Sequence, residues 1–125
     1  MKYTPSFIKE LGPNEAIVLN SDRKFHDEVW NERLFVSTSA LENGSILEFM
    51  VSDSGKLCPL MDIKKRLAVF FKTARREPKV TFYLSKIGFA AGQYRVEDLV
   101  DVYAKKPDNV CVPLQMQIAL STTIL

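Results

Sequence analysis

Two short stretches of this chain carry residues whose types and spacing suit chemistry. Lys86-Ile87-Gly88-Phe89-Ala90-Ala91-Gly92 follows an apolar run and sets two glycines four positions apart. Backbone N–H groups surround a phosphate only where side chains are absent, and they do so best at a helix N-terminus. A lone Gly-x-x-x-Gly is a weak motif, because a tight strand-to-helix turn asks for the same residues. Lys86 beside it suits a phosphate, and equally a solvated surface. Ser21 and Asp22 end an earlier apolar run, but nothing in the sequence places a base beside a nucleophile.

Other reactive constellations are sparse. His26 is the single histidine, and Cys58 and Cys111 form no Cys-x-x-Cys pair, so no ligand spacing for a metal is present and neither metal nor cofactor is expected. The cysteines read as small buried apolar residues. Lys64, Lys65, Arg66, Lys72, Arg75, Arg76 and Lys79 form a basic stretch of the kind that meets nucleic acid or an acidic partner. Phe70 and Phe71 fall on the apolar side of the same helix, so the stretch reads as a solvated face without stacking platforms. Phe25 and Trp30, among charged residues, are the aromatics suited to anchoring a protein partner.

Composition sets the frame. With 125 residues, 46% hydrophobic and 26% charged, the chain suits one domain spanning 1–125 with a genuine core. A net charge of +2, from 17 basic and 15 acidic residues, argues against a dedicated nucleic-acid or membrane surface. No apolar run reaches the roughly 20 residues of a membrane span, and Met1 to Pro5 lacks the apolar stretch of a secretory signal, so a cytoplasmic protein is expected.

The elements that must position these residues follow from periodicity. Thr4-Pro5 reads as the start of a short helix through Phe7, Ile8 and Leu11, broken by Gly12-Pro13. Ala16 to Leu19 reads as a strand buried on both faces. Phe25 to Asn31 is loop or short helix. Leu34–Thr38 and Ile46–Val51 flank Asn43-Gly44, the signature of a β-hairpin, and Ser52-Asp53-Ser54-Gly55 makes a further turn toward Leu57 and Cys58. Leu60, Ile63, Leu67, Phe70, Phe71 and Ala74 recur at helical spacing over Leu60–Arg75. Val80–Leu84 is a central-strand pattern, and Val96, Leu99, Val100 and Tyr103 line a second helix with Glu97 and Asp98 in its first turn. Val110–Val112 is a last short strand. Leu114, Met116, Ile118 and Leu120 alternate in the tail with period two, which predicts another strand or an edge contact through which copies of the chain could associate.

Several phrases are similar to a macrodomain-like family found in phages and gut bacteria. They are Met1-Lys2-Tyr3-Thr4-Pro5, Ile8-Lys9-Glu10-Leu11, Pro13-Asn14-Glu15-Ala16-Ile17-Val18-Leu19, the Lys86–Tyr94 stretch with Glu97 and Asp98, and Asn109-Val110-Cys111-Val112-Pro113. Together they cover roughly half the chain in the family's order. The middle, from about Phe25 to Pro59, does not match. The resemblance implies a three-layer α/β/α mixed sheet, with two strand-end loops cradling a nucleotide diphosphate such as that of ADP-ribose.

Departures from the family pattern matter as much. No glycine lies between Leu19 and Asp27, and Phe25 and Glu28 stand where the family has glycines, so the first cradle looks dismantled. Asp22 replaces an asparagine, a pure acceptor in place of an amide that also donates. Phe89 and Ala90 replace a cysteine and a glycine in the second loop. The expectation is a non-catalytic binding or interaction module with at most a residual nucleotide-phosphate site formed by Ser21, Asp22, Lys86, Gly88, Phe89, Ala90, Ala91 and Gly92. The alternatives are an active ADP-ribose binder or ADP-ribosyl hydrolase with Asp22 activating water, and a phage-related inhibitor or assembly protein acting by protein contact.

Overall fold

A computed structural model describes residues 3–5, 11–22, 35–41 and 44–123. Its elements in chain order are β1 Tyr3–Thr4, β2 Glu15–Asp22, β3 Phe35–Leu41, β4 Gly44–Asp53, β5 Lys56–Leu57, α1 Leu60–Arg75, β6 Thr81–Leu84, α2 Val96–Tyr103, β7 Val110–Pro113 and α3 Leu114–Thr123. The strands form one mixed sheet in the order β1-β7-β6-β2-β4-β3, so the fold is α/β. The ladders β1–β7, β7–β6, β6–β2 and β2–β4 are all parallel, and β3 and β5 run antiparallel to β4. Ser52 pairs with Asp22 on one side and Leu57 on the other, which puts β5 on the same edge of β4 as β3.

The hairpin expected around Asn43-Gly44 is present, with Leu41 opposite Gly44. The next turn has Ser54 at φ 51° and Gly55 at φ 82°, two successive positive angles of the tightest hairpins. Helix α1 occupies the predicted Leu60–Arg75 and buries Ile63, Leu67, Phe70, Phe71 and Ala74. Phe70 meets Phe49 and Phe82 edge-on, at 6.5 and 5.4 Å between ring centres, so α1 lies on the sheet face that carries Ala16, Val18, Phe49 and Phe82. Phe71 meets Tyr103 of α2 at 5.7 Å. Lys64 reaches Asp101 across the same helix pair at 3.1 Å. At the far end of α1, Asn109 Nδ2 donates to the carbonyls of Ala74, Glu77 and Val80, closing the helix end against the start of β7.

Three expectations are corrected. Tyr3–Thr4 is a strand, and the Thr4 hydroxyl donates to the carbonyls of Leu84 and Cys111 at 2.8 and 3.0 Å instead of capping a helix. Phe7 and Ile8 of the expected first helix, and the Phe25–Asn31 segment with His26 and Trp30, lie outside the described residues. Leu19 is 36% exposed, so β2 is fully buried on one face only. The tail is a helix, not a strand. Met116 and Leu120, one turn apart, are buried, whereas Leu114 and Ile118, also one turn apart, face solvent. Two i,i+4 pairs on opposite sides of a helix imitate a period of two, and that misled the sequence reading.

Met50 and Cys111 are buried outside the helix-side cluster, and their register places them on the opposite face of the sheet with Ile17 and Tyr83. Cys58 and Cys111 form no disulfide. No helix among the described residues is long and apolar enough to cross a membrane.

On that second face the Tyr83 hydroxyl donates to Glu15 at 2.7 Å, while Gly12 N–H donates to the other carboxylate oxygen at 2.5 Å. These bonds hold the Glu15 carboxyl below its ordinary value, and the Tyr83–Glu15 bond is the main cause that pushes Tyr83 up to about 12. A lowered carboxyl pKa contributes stability that is present above the unfolded value of 4.5 and is lost as pH falls; the raised phenol contributes stability that is complete below pH 10.0 and lost as pH climbs through about 12. Glu15→Gln is expected to lower the Tyr83 midpoint from about 12 toward 10.0, read by NMR titration of the labelled ring. An unchanged midpoint would refute the assigned hydrogen bond.

Candidate functional site

The chain leaves β2 toward β3 and β4 and leaves β6 toward β7, so the carboxyl ends of neighbouring β2 and β6 form the topological switch point of the sheet. Ligands of open α/β sheets bind in such a crevice. The loop after β6 carries Lys86 and Gly88 to Gly92, and β2 ends in Asn20-Ser21-Asp22, so all the expected site residues lie at or next to this crevice.

What they do there differs from residue to residue. Asn20 Nδ2 donates to Lys86 O at 2.9 Å, and its Oδ1 accepts from Gly88 N at 3.3 Å. The side chain therefore spans the crevice and binds the loop as a further length of strand would. Sequence reading passed over this role, although a signal was available: Asn20 falls in the alternating series Ala16, Val18, Asn20, where a polar group on a core-facing position requires a partner.

Asp22 is turned the other way. A register shift between Ser21 and Asp22 sets Asp22 opposite Ser52, and its carboxylate accepts from Ser52 Oγ, Ser54 N and Gly55 N, each at 2.7 Å. Two of these are backbone amides of the β4–β5 turn. Three converging donors need an acceptor without N–H groups of its own, which a carboxylate supplies and a side-chain amide does not. Ser21 pairs with Met50 in the ladder and is half-buried.

The loop itself is largely self-satisfied. Gly88 has φ 88°, and a Cβ there would sit 3.0 Å from Leu99 Cδ1 and 3.3 Å from Ile63 Cγ2. This glycine is required by packing against α1 and α2 as well as by its angle. Phe89 is 6% exposed and meets Tyr103 edge-on at 5.8 Å, so its ring belongs to the core and not to the cleft. The amides of Phe89 and Ala90 donate to Lys86 O at 3.2 Å and Gln93 Oε1 at 3.0 Å, and the Gly88 amide is held by Asn20. Among the described residues, the amides of Ala91 and Gly92 have no such partner within the chain. Gly92, at φ 81°, has open space where a Cβ would point. Lys86 is exposed. No group of three or more metal-ligating side chains occurs among the described residues.

Beside the crevice, displaced toward β7 and β1, opens a cavity of about 700 Å³ lined by Tyr3, Thr4, Pro5, Ile17, Leu84, Ser85, Lys86, Pro113, Leu114 and Gln115. Lys86 is the residue shared between this cavity and the loop. Comparison with protein-family models, curated proteins and solved structures finds no match.

Two substitutions separate the roles of the glycines. Gly88→Ala adds left-handed strain to a close contact with Leu99 and Ile63, and is expected to lower stability by about 2–4 kcal/mol. Gly92→Ala meets open space and should cost about 1–2 kcal/mol. Urea unfolding of both variants checks the order. Asp22→Asn, which sets N–H groups against N–H groups, is expected to lower stability by about 1–3 kcal/mol; a variant as stable as the parent would contradict the role of Asp22 in the turn.

Proposed function

We propose that this chain is a non-catalytic binding module on a macrodomain-like, three-layer α/β/α scaffold, retaining a residual nucleotide-phosphate site at the carboxyl ends of β2 and β6. The observation that carries this reading is the engagement of Asp22. A general base must be able to reach water, and the Asp22 carboxylate accepts three hydrogen bonds from Ser52, Ser54 and Gly55. The ADP-ribosyl hydrolase alternative needs that same carboxylate for its water.

Two further observations support the scaffold. The crossover from β1 to β2 runs across the sheet in the opposite sense to those carried by α1 and α2, and right-handed crossovers of opposite sense occupy opposite faces. Met50, Cys111 and Leu11 are buried outside the helix-side cluster, as a second covered face requires. The residual anion site consists of the Ala91 and Gly92 amides with Lys86. It is small, because Phe89 and Ala90 are committed elsewhere, and affinity for a diphosphate is correspondingly weak.

A protein-contact role is the second reading, favoured by Leu114 and Ile118, which are 51% and 54% exposed on one side of α3. The tail offers a helix face for such a contact, and a sedimentation mass of one chain would count against self-association through it.

Thermal unfolding with ADP-ribose tests the first reading. At a ligand concentration near the dissociation constant the stabilisation is about 0.4 kcal/mol, a shift of about 2 °C, and Lys86→Gln is expected to remove it. No release of ADP-ribose from a modified substrate is expected; turnover that Asp22→Ala abolishes would overturn the proposal in favour of the hydrolase.

A further inference from the structure

The cavity displaced toward β1 and β7 has a chemistry of its own. Thr4 and Pro5 leave β1, Ser85 and Lys86 leave β6, and Pro113 ends β7 where Leu114 and Gln115 begin α3, so the carboxyl ends of three parallel strands surround it. Its walls are mainly apolar: Tyr3, Pro5, Ile17, Leu84, Pro113 and Leu114. Tyr3 and Leu114 remain 38% and 51% exposed at its rim, apolar surface that an occupant of matching character would cover. The volume of about 700 Å³ falls in the range of sites for small organic molecules.

The hydroxyls of Thr4 and Ser85 are polarised in one direction. Thr4 Oγ1 lies 2.8 Å from Leu84 O and 3.0 Å from Cys111 O, and Ser85 Oγ lies 2.9 Å from Val18 O. Carbonyl oxygens only accept, so each hydroxyl proton is directed into the protein, and what remains for a ligand is a pair of acceptors. A ligand group that only accepts would face lone pairs there; one that donates N–H or O–H is complementary. Among the described lining residues Lys86 is the single charged side chain, and none of them is a carboxylate. The flat walls given by Tyr3, Pro5 and Pro113 suit a ring.

We propose that this cavity is a binding site for an aromatic carboxylate whose ring carries an N–H or O–H donor, the ring lying among Tyr3, Pro113 and Leu114, the donor on Thr4 and Ser85, and the carboxylate toward Lys86. The site goes beyond the phosphate reading and shares only Lys86 with it, so either can fail without the other.

N-acetyl-L-tryptophan supplies the ring, the donor and the charge in one probe. Titrated into the full chain and followed by amide NMR, it is expected to bind saturably with shifts at Thr4, Ser85, Leu114 and Gln115. Its N1-methyl analogue, which lacks the donor, should bind about tenfold more weakly. N-acetyl-tryptophanamide, which lacks the charge, should also be weakened, and Lys86→Gln should weaken the parent probe but not the amide. Leu114→Trp, at a half-exposed position, fills the cavity and should abolish binding while leaving the ADP-ribose response intact. Equal binding of the N1-methyl analogue, unchanged binding to Leu114→Trp, or no saturation up to about 10 mM would overturn the proposal. So would adenosine monophosphate displacing the probe at lower concentration, which would assign the cavity to a nucleotide.

Discussion

Asn20 continues the pairing of β2 with β6 beyond the last residue of β6, using a side-chain amide where the backbone has run out. Its Nδ2 and Oδ1 take Lys86 O and Gly88 N, the groups that a neighbouring strand would take. Much of the molecule depends on the loop so fixed. Gly88 is pressed against Leu99 and Ile63, which joins the loop to both α1 and α2. Ile87 is fully buried and its carbonyl accepts the Tyr103 hydroxyl at 2.7 Å, an otherwise unsatisfied oxygen in the core. Tyr94 closes the loop with Tyr94 N to Gly88 O at 2.9 Å, and its hydroxyl ties the loop to Cys58 O at 2.6 Å, just ahead of α1. One asparagine thus ties the end of β2 to the loop that packs against both helices.

The same bonds govern what the switch-point crevice can hold. An anion cradle is made of N–H groups that have no better partner, and here the chain has provided partners for most of them. Gly88 donates to Asn20, Phe89 to Lys86 and Ala90 to Gln93, while Asp22, at the end of β2, holds the turn after β4. The amides that line the crevice and those that stabilise the loop are one set of donors. A chain that satisfies them internally gains a firm loop and leaves, among the described residues, only the tip amides of Ala91 and Gly92 without such a partner.

Much of the architecture was legible in the sequence, for reasons that can be given residue by residue. The bounds of α1 follow from six apolar residues at helical spacing, and the hairpin follows from Asn43-Gly44 between two β-rich runs, both local signals read within one element. The tail was illegible because two apolar pairs on opposite sides of α3 produce the alternation of a strand, and only contact with α2 and β7 decides between the two. The candidate site was legible as a place and not as chemistry. Gly88 and Gly92 mark a loop at a strand end, yet whether its amides are open depends on Asn20 and Gln93 reaching them, and Asp22 gives no hint in the sequence that Ser52, Ser54 and Gly55, some thirty residues later, converge on it.

The location of the cavity beside β1 and β7 follows from the same economy of donors. At the β2–β6 boundary, Asn20 bridges the strand ends, and Asp22 ties the end of β2 to the turn after β4. Toward β7 and β1, among the described residues, no side-chain amide bridges the strand ends as Asn20 does. Thr4 is short, its hydroxyl turned back onto Leu84 and Cys111, and Pro113 has no N–H with which to extend the ladder into the space above. The strands simply end there, and α3 leaves from Leu114 at the rim. The space left open at this edge is lined by mainly apolar walls, with Lys86 between it and the tip of the loop after β6.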